Sequence, residues 1–177
     1  MERISRAALL GAGSAVALVG VDLMTRFVEA ATKADPDDIA ALNAAIELER
    51  AGIKAYQDAA ATKLLSAPVL AVCGRFVADH VAHRDALIAA VRAGGGVPSE
   101  ATAHLNYPVL DSQVAILHFA RGVEEKAAST YLSVVPEFTN RELAAAAASI
   151  LGVETTHVAL LAQALGETTY PTSFVTT

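Results

Sequence analysis

Ala147-Ala148-Ser149-Ile150-Leu151-Gly152-Val153-Glu154-Thr155-Thr156-His157 is the stretch whose reading decides the fold. It is rich in alanine, the best helix former and a poor strand residue, and its apolar residues recur at helical spacing. Three positions on a helix make about one turn, so Glu154 and His157 share a face. A carboxylate and an imidazole on one face can chelate a single metal ion.

Working outward, the chain reads as four helices. Asp35-Pro36-Asp37-Asp38 starts the first: an Asp cap, a Pro at the first helical position, and acids at the positive end of the helix dipole. This helix is expected to run to about Leu64. Ser66-Ala67-Pro68 starts the second, which continues to Arg92 and stops at Gly94-Gly95-Gly96. Residues 97–109, with Pro98 and Pro108, form the longest loop. Asp111-Ser112 caps the third, which ends before Pro136. Thr139-Asn140-Arg141-Glu142 reads as a capping box for the fourth, which runs to about Leu165. The tail from Gly166 is expected to be irregular and docked by Tyr170 and Phe174. The organisation predicted is 1–30 as an N-terminal segment, 35–166 as an all-α antiparallel four-helix bundle, and 167–177 as a tail.

The two halves repeat each other. Leu48-Glu49 has Tyr56 seven positions after the Glu, and Val123-Glu124 has Tyr131 at the same offset. His83 is followed four later by Leu87, and His157 by Leu161. Glu49 and His83 are 34 positions apart, and Glu124 and His157 are 33 apart. Self-similarity at a fixed offset says more than any single residue. Two helical hairpins related by a pseudo-twofold axis bring these positions to one level of the bundle core. A Glu from each of two helices and a Glu-x-x-His from each of the other two is a ligand set that bundles use for two metals. Glu49, Glu124 and Glu154-x-x-His157 supply three members. The fourth is His80-Val81-Ala82-His83, with the right spacing and a different first residue. The candidate metal site is therefore Glu49, His80, His83, Glu124, Glu154 and His157. The competing reading is a hydrogen-bonded polar network without metal. Six ligand-type residues at symmetric core positions weigh against it, because a dry core of acids and imidazoles is costly.

From about Asp37 to Phe174 the sequence resembles the ferritin-like domains of bacterial secreted and desiccation-related proteins. The resemblance rests on Leu48-Glu49 with Tyr56, on Val123-Glu124-Glu125-Lys126-Ala127 with Tyr131, and above all on the stretch ending Glu154-Thr155-Thr156-His157. It implies a long crossover between the second and third helices. It also implies a carboxylate-bridged di-iron centre of the kind that oxidises Fe(II), reduces peroxide or activates oxygen. The Glu of each Glu-x-x-His is the usual bridge in such relatives, so Glu154 would be one bridge and His80 stands at the other. A neutral imidazole has one lone pair and cannot span two metals as a carboxylate does. Three outcomes stay open: two metals with one carboxylate bridge, one metal such as Zn or Mn, or none. Asp79, four before His83, could swing in as a replacement ligand but lies off the ideal face.

Tyr56 and Tyr131 read as core residues whose hydroxyls find a hydrogen bond, with donation to the ligands or a redox role as the alternatives. Glu47 and Glu125 adjoin the ligands but point away, with Arg50 and Lys126 as solvated partners for such acids. His118 reads as surface or structural, His104 as exposed in the loop, and Cys73 as a small core residue.

Composition bounds the function. The 177 residues are 54% hydrophobic and carry a net charge of −6, which disfavours electrostatic capture of nucleic acid. One cysteine excludes an intramolecular disulfide framework and a Cys-rich metal site. Arg3 and Arg6 precede an apolar run from Ala7 to Gly20, and Val28-Glu29-Ala30 has the small-residue form of a cleavage site. Ser5-Arg6-Ala7-Ala8-Leu9-Leu10 resembles a twin-arginine export signal lacking its second Arg. A cleaved signal, an anchor retained through residues 7–24, and an ordinary N-terminal helix are the three readings of this segment. The expected location is outside the cytoplasm, in the periplasm or cell envelope. The leading expectation is ferroxidase-like or peroxide-reducing chemistry on Fe, with Mn or Zn as other metals and Fe(II), O₂ or H₂O₂ as small substrates. The alternative is a non-catalytic structural or accessory subunit, for example of a membrane complex, that keeps a degenerate site; a homo-oligomer is a further partner option. A third reading is metal storage at the envelope.

Overall fold

The computed structural model describes residues 25–169. The apolar segment over 7–24 and the proposed docking of Tyr170 and Phe174 lie outside the described residues. A short helix over 25–31, α1, leads into four long ones. These are α2 (Pro36–Ala61), α3 (Ala67–Ala93), α4 (Gln113–Val134) and α5 (Arg141–Ala164), with a 3₁₀ turn at Val135–Glu137. The architecture is the expected all-α four-helix bundle. Short turns join α2 to α3 and α4 to α5, giving two hairpins; α2 packs on α4 and α3 on α5.

Each helix buries a stripe at three- and four-residue spacing. On α2 it is Leu42, Ile46, Glu49, Ile53 and Tyr56; on α5 it is Leu143, Ile150, Glu154, His157 and Leu161. Acids or imidazoles thus interrupt otherwise apolar seams: Glu49 on α2, His80 on α3, Glu124 on α4, and Glu154 with His157 on α5. An apolar cluster around Ile46, Leu87, Val91 and Leu143 lies toward one end of the bundle. A second, around Phe76, Leu117 and Leu161, lies toward the other. Phe27 and Ala31 of α1 are buried in the first cluster. Val28-Glu29-Ala30 therefore lies within a helix packed against the bundle.

The helix starts follow the sequence signals, with one correction. Asp35 caps α2 by accepting from the Asp37 and Asp38 amides, and Ser112 caps α4 through the Ala115 amide. At α5 the cap is Asn140, which accepts from the Glu142 and Leu143 amides. Thr139 is drawn away from the capping-box role: its hydroxyl bonds Asp35 and Asp38, and its amide bonds Asp38. The buried Asp38 thus ties the starts of α2 and α5 together. Helix α2 ends at Ala61, short of Leu64, because Lys63 adopts a left-handed φ of 60° that stops it. Gly95 has φ 75°, and the Gly96 amide bonds back to the Val91 carbonyl, closing α3 as a glycine cap does.

The crossover over 94–112 is strapped to the outer flank of α2. The Asn43 side chain bonds Val97 and Ser99, Glu47 accepts from the Ser99 hydroxyl, and Arg50 pairs with Glu100. Glu47 and Arg50 thus point away from the core as expected, and they hold this strap rather than each other. Among the described residues α5 is long and apolar enough to cross a membrane. In this fold its buried face carries Glu154 and His157 into the bundle.

Candidate metal centre

All six candidate residues converge at mid-bundle. Glu49, His80, Glu124, Glu154 and His157 are buried, and the His83 side chain is 13% exposed. Their donor atoms form two overlapping groups. One is Glu49, His80, His83 and Glu154; the other is His80, Glu124, Glu154 and His157. Glu154 and His80 belong to both. Glu154 Oε1 lies 3.1 Å from His83 Nδ1, and Oε2 lies 3.4 Å from His157 Nδ1, so one oxygen faces each hairpin's imidazole. His80 lies with Nδ1 2.7 Å from Glu49 Oε2 and Nε2 3.3 Å from Glu124 Oε1.

Two observations test whether metal fits. Six buried side-chain polar atoms lack a hydrogen-bond partner among the described residues, and five are here: His83 Nδ1, His157 Nδ1, Glu124 Oε2 and both oxygens of Glu154. Buried polar atoms are normally satisfied, so orphans concentrated on one cluster mark a place for a ligand. The separations agree. Two donors each about 2.1 Å from one ion, at angles near 90–110°, lie about 3.0–3.4 Å apart. The distances from His83 and His157 to the facing carboxylates run from 3.1 to 3.6 Å. The donors fit two metal ions.

The surroundings fix these donors. The Tyr56 hydroxyl, on α2, bonds Glu124 on α4, and the Tyr131 hydroxyl, on α4, bonds Glu49 on α2. The tyrosines are core residues, as read from the sequence, and each also holds the other hairpin's carboxylate. His157 stacks on Phe76 at 3.9 Å between centroids, and its Nε2 lies 3.4 Å from Asp79 Oδ2. A carboxylate there favours the proton on Nε2 and leaves Nδ1 for a metal. Asp79, itself held by Arg75, therefore points at the back of His157 and does not swing into the centre. Sequence spacing missed this pairing because it crosses from α3 to α5. His118 is exposed beside Glu167, His104 bonds Asn106 in the crossover, and Cys73 is buried in the second apolar cluster.

Electrostatics without metal follow from crowding three acids and three imidazoles out of water. Burial opposes charge on each imidazole, but the facing carboxylates outweigh it. His80 rises to about 11 through Glu124 and Glu49, His83 to about 9 through Glu154 and Glu49, and His157 to about 9 through Glu124 and Glu154. Burial likewise pushes Glu49 and Glu124 up, and their imidazole partners pull both below the usual carboxylate range. Burial wins at Glu154, which lies above it. Burial and the partner carboxylates raise Tyr56 and Tyr131 well above 10, so both hydroxyls remain donors.

Small residues leave an opening on one side. A mostly apolar cavity of about 120 Å³ lies between α3 and α5, with His83, Ala82, Ala86, Ala146 and Ser149 among its walls. Phe27 of α1 forms part of its lining. It reaches the one candidate ligand that is not fully buried.

Comparison with known proteins agrees with this architecture. The solved structure of a ferritin-like, diiron-carboxylate protein from Bacillus anthracis str. Ames is similar, with a TM-score of 0.63 at 19% identity over 73% of this chain and 95% of that one. So is that of a conserved hypothetical protein from Mycobacterium tuberculosis, with a TM-score of 0.66 at 23% identity over 77% and 96% of the two chains. No curated protein matches the chain. Residues 37–167 match the ferritin-like domain family, and the chain belongs to it.

Proposed function

We propose that the protein binds two metal ions at this centre and is a redox protein of the ferroxidase or peroxide-reducing type. The observation that carries the reading is the pair of overlapping donor groups whose unsatisfied atoms face one another across Glu154. Glu49 and His83 would hold one ion, Glu124 and His157 the other, and Glu154 both. Carboxylates with imidazoles suit iron, manganese or zinc. The diiron-carboxylate description of the Bacillus protein favours iron. Bound iron supplies one-electron chemistry between Fe(II) and Fe(III), with O₂ or H₂O₂ as the acceptor.

The protein's own groups do the rest. Tyr56 and Tyr131 orient the terminal carboxylates, Asp79 holds His157, and the apolar walls of the cavity exclude bulk water while admitting a small molecule on the His83 side. Metal analysis of protein purified without chelator, followed by anaerobic Fe(II) titration, tests the reading. Two equivalents are expected, with Fe(II) oxidation that Glu154→Ala abolishes. Equal oxidation rates in wild type and Glu154→Ala would sink it.

We also propose that the protein works outside the cytoplasm and that residues 25–30 stay with the mature chain. The burial of Phe27 supports the retention, since a cut after Ala30 would remove it from the core. N-terminal sequencing of the native protein decides: a start at Ala31 would refute retention.

A further inference from the structure

The α3 position that pairs with Glu154 under the internal repeat is His80, and its ring is not placed as a passive substitute. Each nitrogen faces a different donor group. Nδ1 is 2.7 Å from Glu49 Oε2 and 3.8 Å from Glu154 Oε1, on the side of His83. Nε2 is 3.3 Å from Glu124 Oε1, on the side of His157. The ring is 2% exposed and lies across Gly52 of α2. A Cβ at Gly52 would come within 2.9 Å of its Cε1, 3.0 Å of Nε2 and 3.1 Å of Nδ1. Glycine inside a helix is unfavourable relative to alanine. Here it opens the slot that the ring fills. The corresponding position after Glu124 is Ala127. The helix against the His80 ring lacks a Cβ at this position, and the matching position on α4 has one.

We propose that His80 is a bridging ligand that binds one metal through Nδ1 and the second through Nε2, as an imidazolate. This rests on the two-metal reading. Charge argues for the same form. Two divalent ions bring four positive charges into a buried site, and Glu49, Glu124 and Glu154 return three negative ones. A neutral His80 would leave a net buried charge, which is costly. The anion removes it and restores the charge that a carboxylate at this position would carry. In forming the bridge, both N–H bonds of the metal-free ring, which face Glu49 and Glu124, break, the two protons leave to bulk buffer, and each ring nitrogen donates a lone pair to one ion. A bound cation drives such deprotonation, as it does for metal-bound water. Gly52 is the positioning residue that sets the ring between the two groups.

The bridge has a distinctive length. An imidazole ring with a bond of about 2.1 Å at each nitrogen separates the ions by roughly 6 Å. Most two-metal sites hold them about 3.5–4 Å apart. The test uses the full chain loaded with Zn(II), which needs no turnover. Zinc content is measured, and the separation is read from anomalous diffraction at the zinc edge. The expected result is two ions about 6 Å apart with the His80 ring between them, Glu154 reaching both in an extended mode. In His80→Glu the two ions should remain and draw together to about 3.5–4 Å. In His80→Ala the second equivalent should be lost at zinc concentrations that saturate wild type. Two wild-type ions about 3.5–4 Å apart, or a ring bound to only one of them, would overturn the bridge and leave the two-metal reading standing. One ion or none in wild type would overturn both.

Discussion

The α4–α5 hairpin carries Glu124, Ala127, Tyr131, Glu154 and His157; the α2–α3 hairpin carries Glu49, Gly52, Tyr56, His80 and His83 at the matching positions. The tyrosines treat the halves alike, each bonding the carboxylate of the other hairpin. The imidazoles do not. His157 is backed by Asp79 and covered by Phe76, while His83 opens on an apolar cavity. Val153 stands where Asp79 would under the repeat, and it lines that cavity. One half of the centre is therefore held rigidly, and the other is left accessible. The repeat supplies two overlapping donor groups, and the departures from it give those groups different surroundings.

The largest expected effect tests what the halves share. Glu154 offers an oxygen to each side, so Glu154→Ala should abolish uptake of both ions. The loss should exceed the roughly 10–100-fold weakening typical of removing an outer partner. Equilibrium dialysis against Zn(II) measures it. Retention of either ion at wild-type affinity would mean that the halves bind independently.

The next effect separates them. Asp79→Ala removes the group behind His157 and should weaken one ion by about 10–100-fold while leaving the other alone. Val153→Ala, the matching change behind His83, should leave both affinities in place. A biphasic binding isotherm for Asp79→Ala is the expected signature. Equal weakening of both ions would show that Asp79 acts on the whole centre.

Smaller still is the exchange of small residues. Gly52→Ala drives a Cβ into the His80 ring, and overpacking of this kind costs about 1–3 kcal/mol, partly offset by about 1 kcal/mol of helix propensity. Ala127→Gly should cost about 1 kcal/mol through the helix alone. Urea denaturation of the metal-free proteins measures both. If Gly52→Ala proves stabilising, the ring has room to move and the slot is not specific for it.

Much of this was legible in the chain because its signals are local. Caps at Asp35 and Ser112, the glycine stop after α3, and Glu-x-x-His spacing each fit within a turn or two of helix. The six candidate ligands could be read because a repeat makes distant residues comparable. The structure adds contacts that no local pattern encodes. Thr139 reads as a helix cap until Asp35 and Asp38, about a hundred positions earlier, take its hydroxyl. Asp79 reads as off-face because its partner is on another helix. Sequence reading missed Gly52, although a glycine inside a strong helix commonly marks close approach or packing. Its place opposite Ala127 in the repeat was the signal that could have marked the crowded half.

One further effect weighs the two halves together: the response of the metal-free protein to pH. His83 and His157, one from each half, are raised from 6.5 to about 9, and His80 to about 11. Raised imidazoles favour the folded state below their ordinary value, and that contribution is lost as pH climbs through the folded values. Glu154, raised from 4.5, adds a loss in the same direction that begins at lower pH. Glu49 and Glu124, lowered from 4.5, act oppositely: their contribution is present above that value and lost below it. Stability of the metal-free protein should therefore fall on both sides, and on the alkaline side it should decline between pH 6.5 and about 9. With metal bound the ligating nitrogens carry no proton to lose, and binding itself grows stronger as protons cease to compete. Thermal melts across this range, with and without Zn(II), should diverge as pH rises. Parallel curves would mean that the imidazoles are not held by the carboxylates that face them, and would remove the electrostatic account of both halves at once.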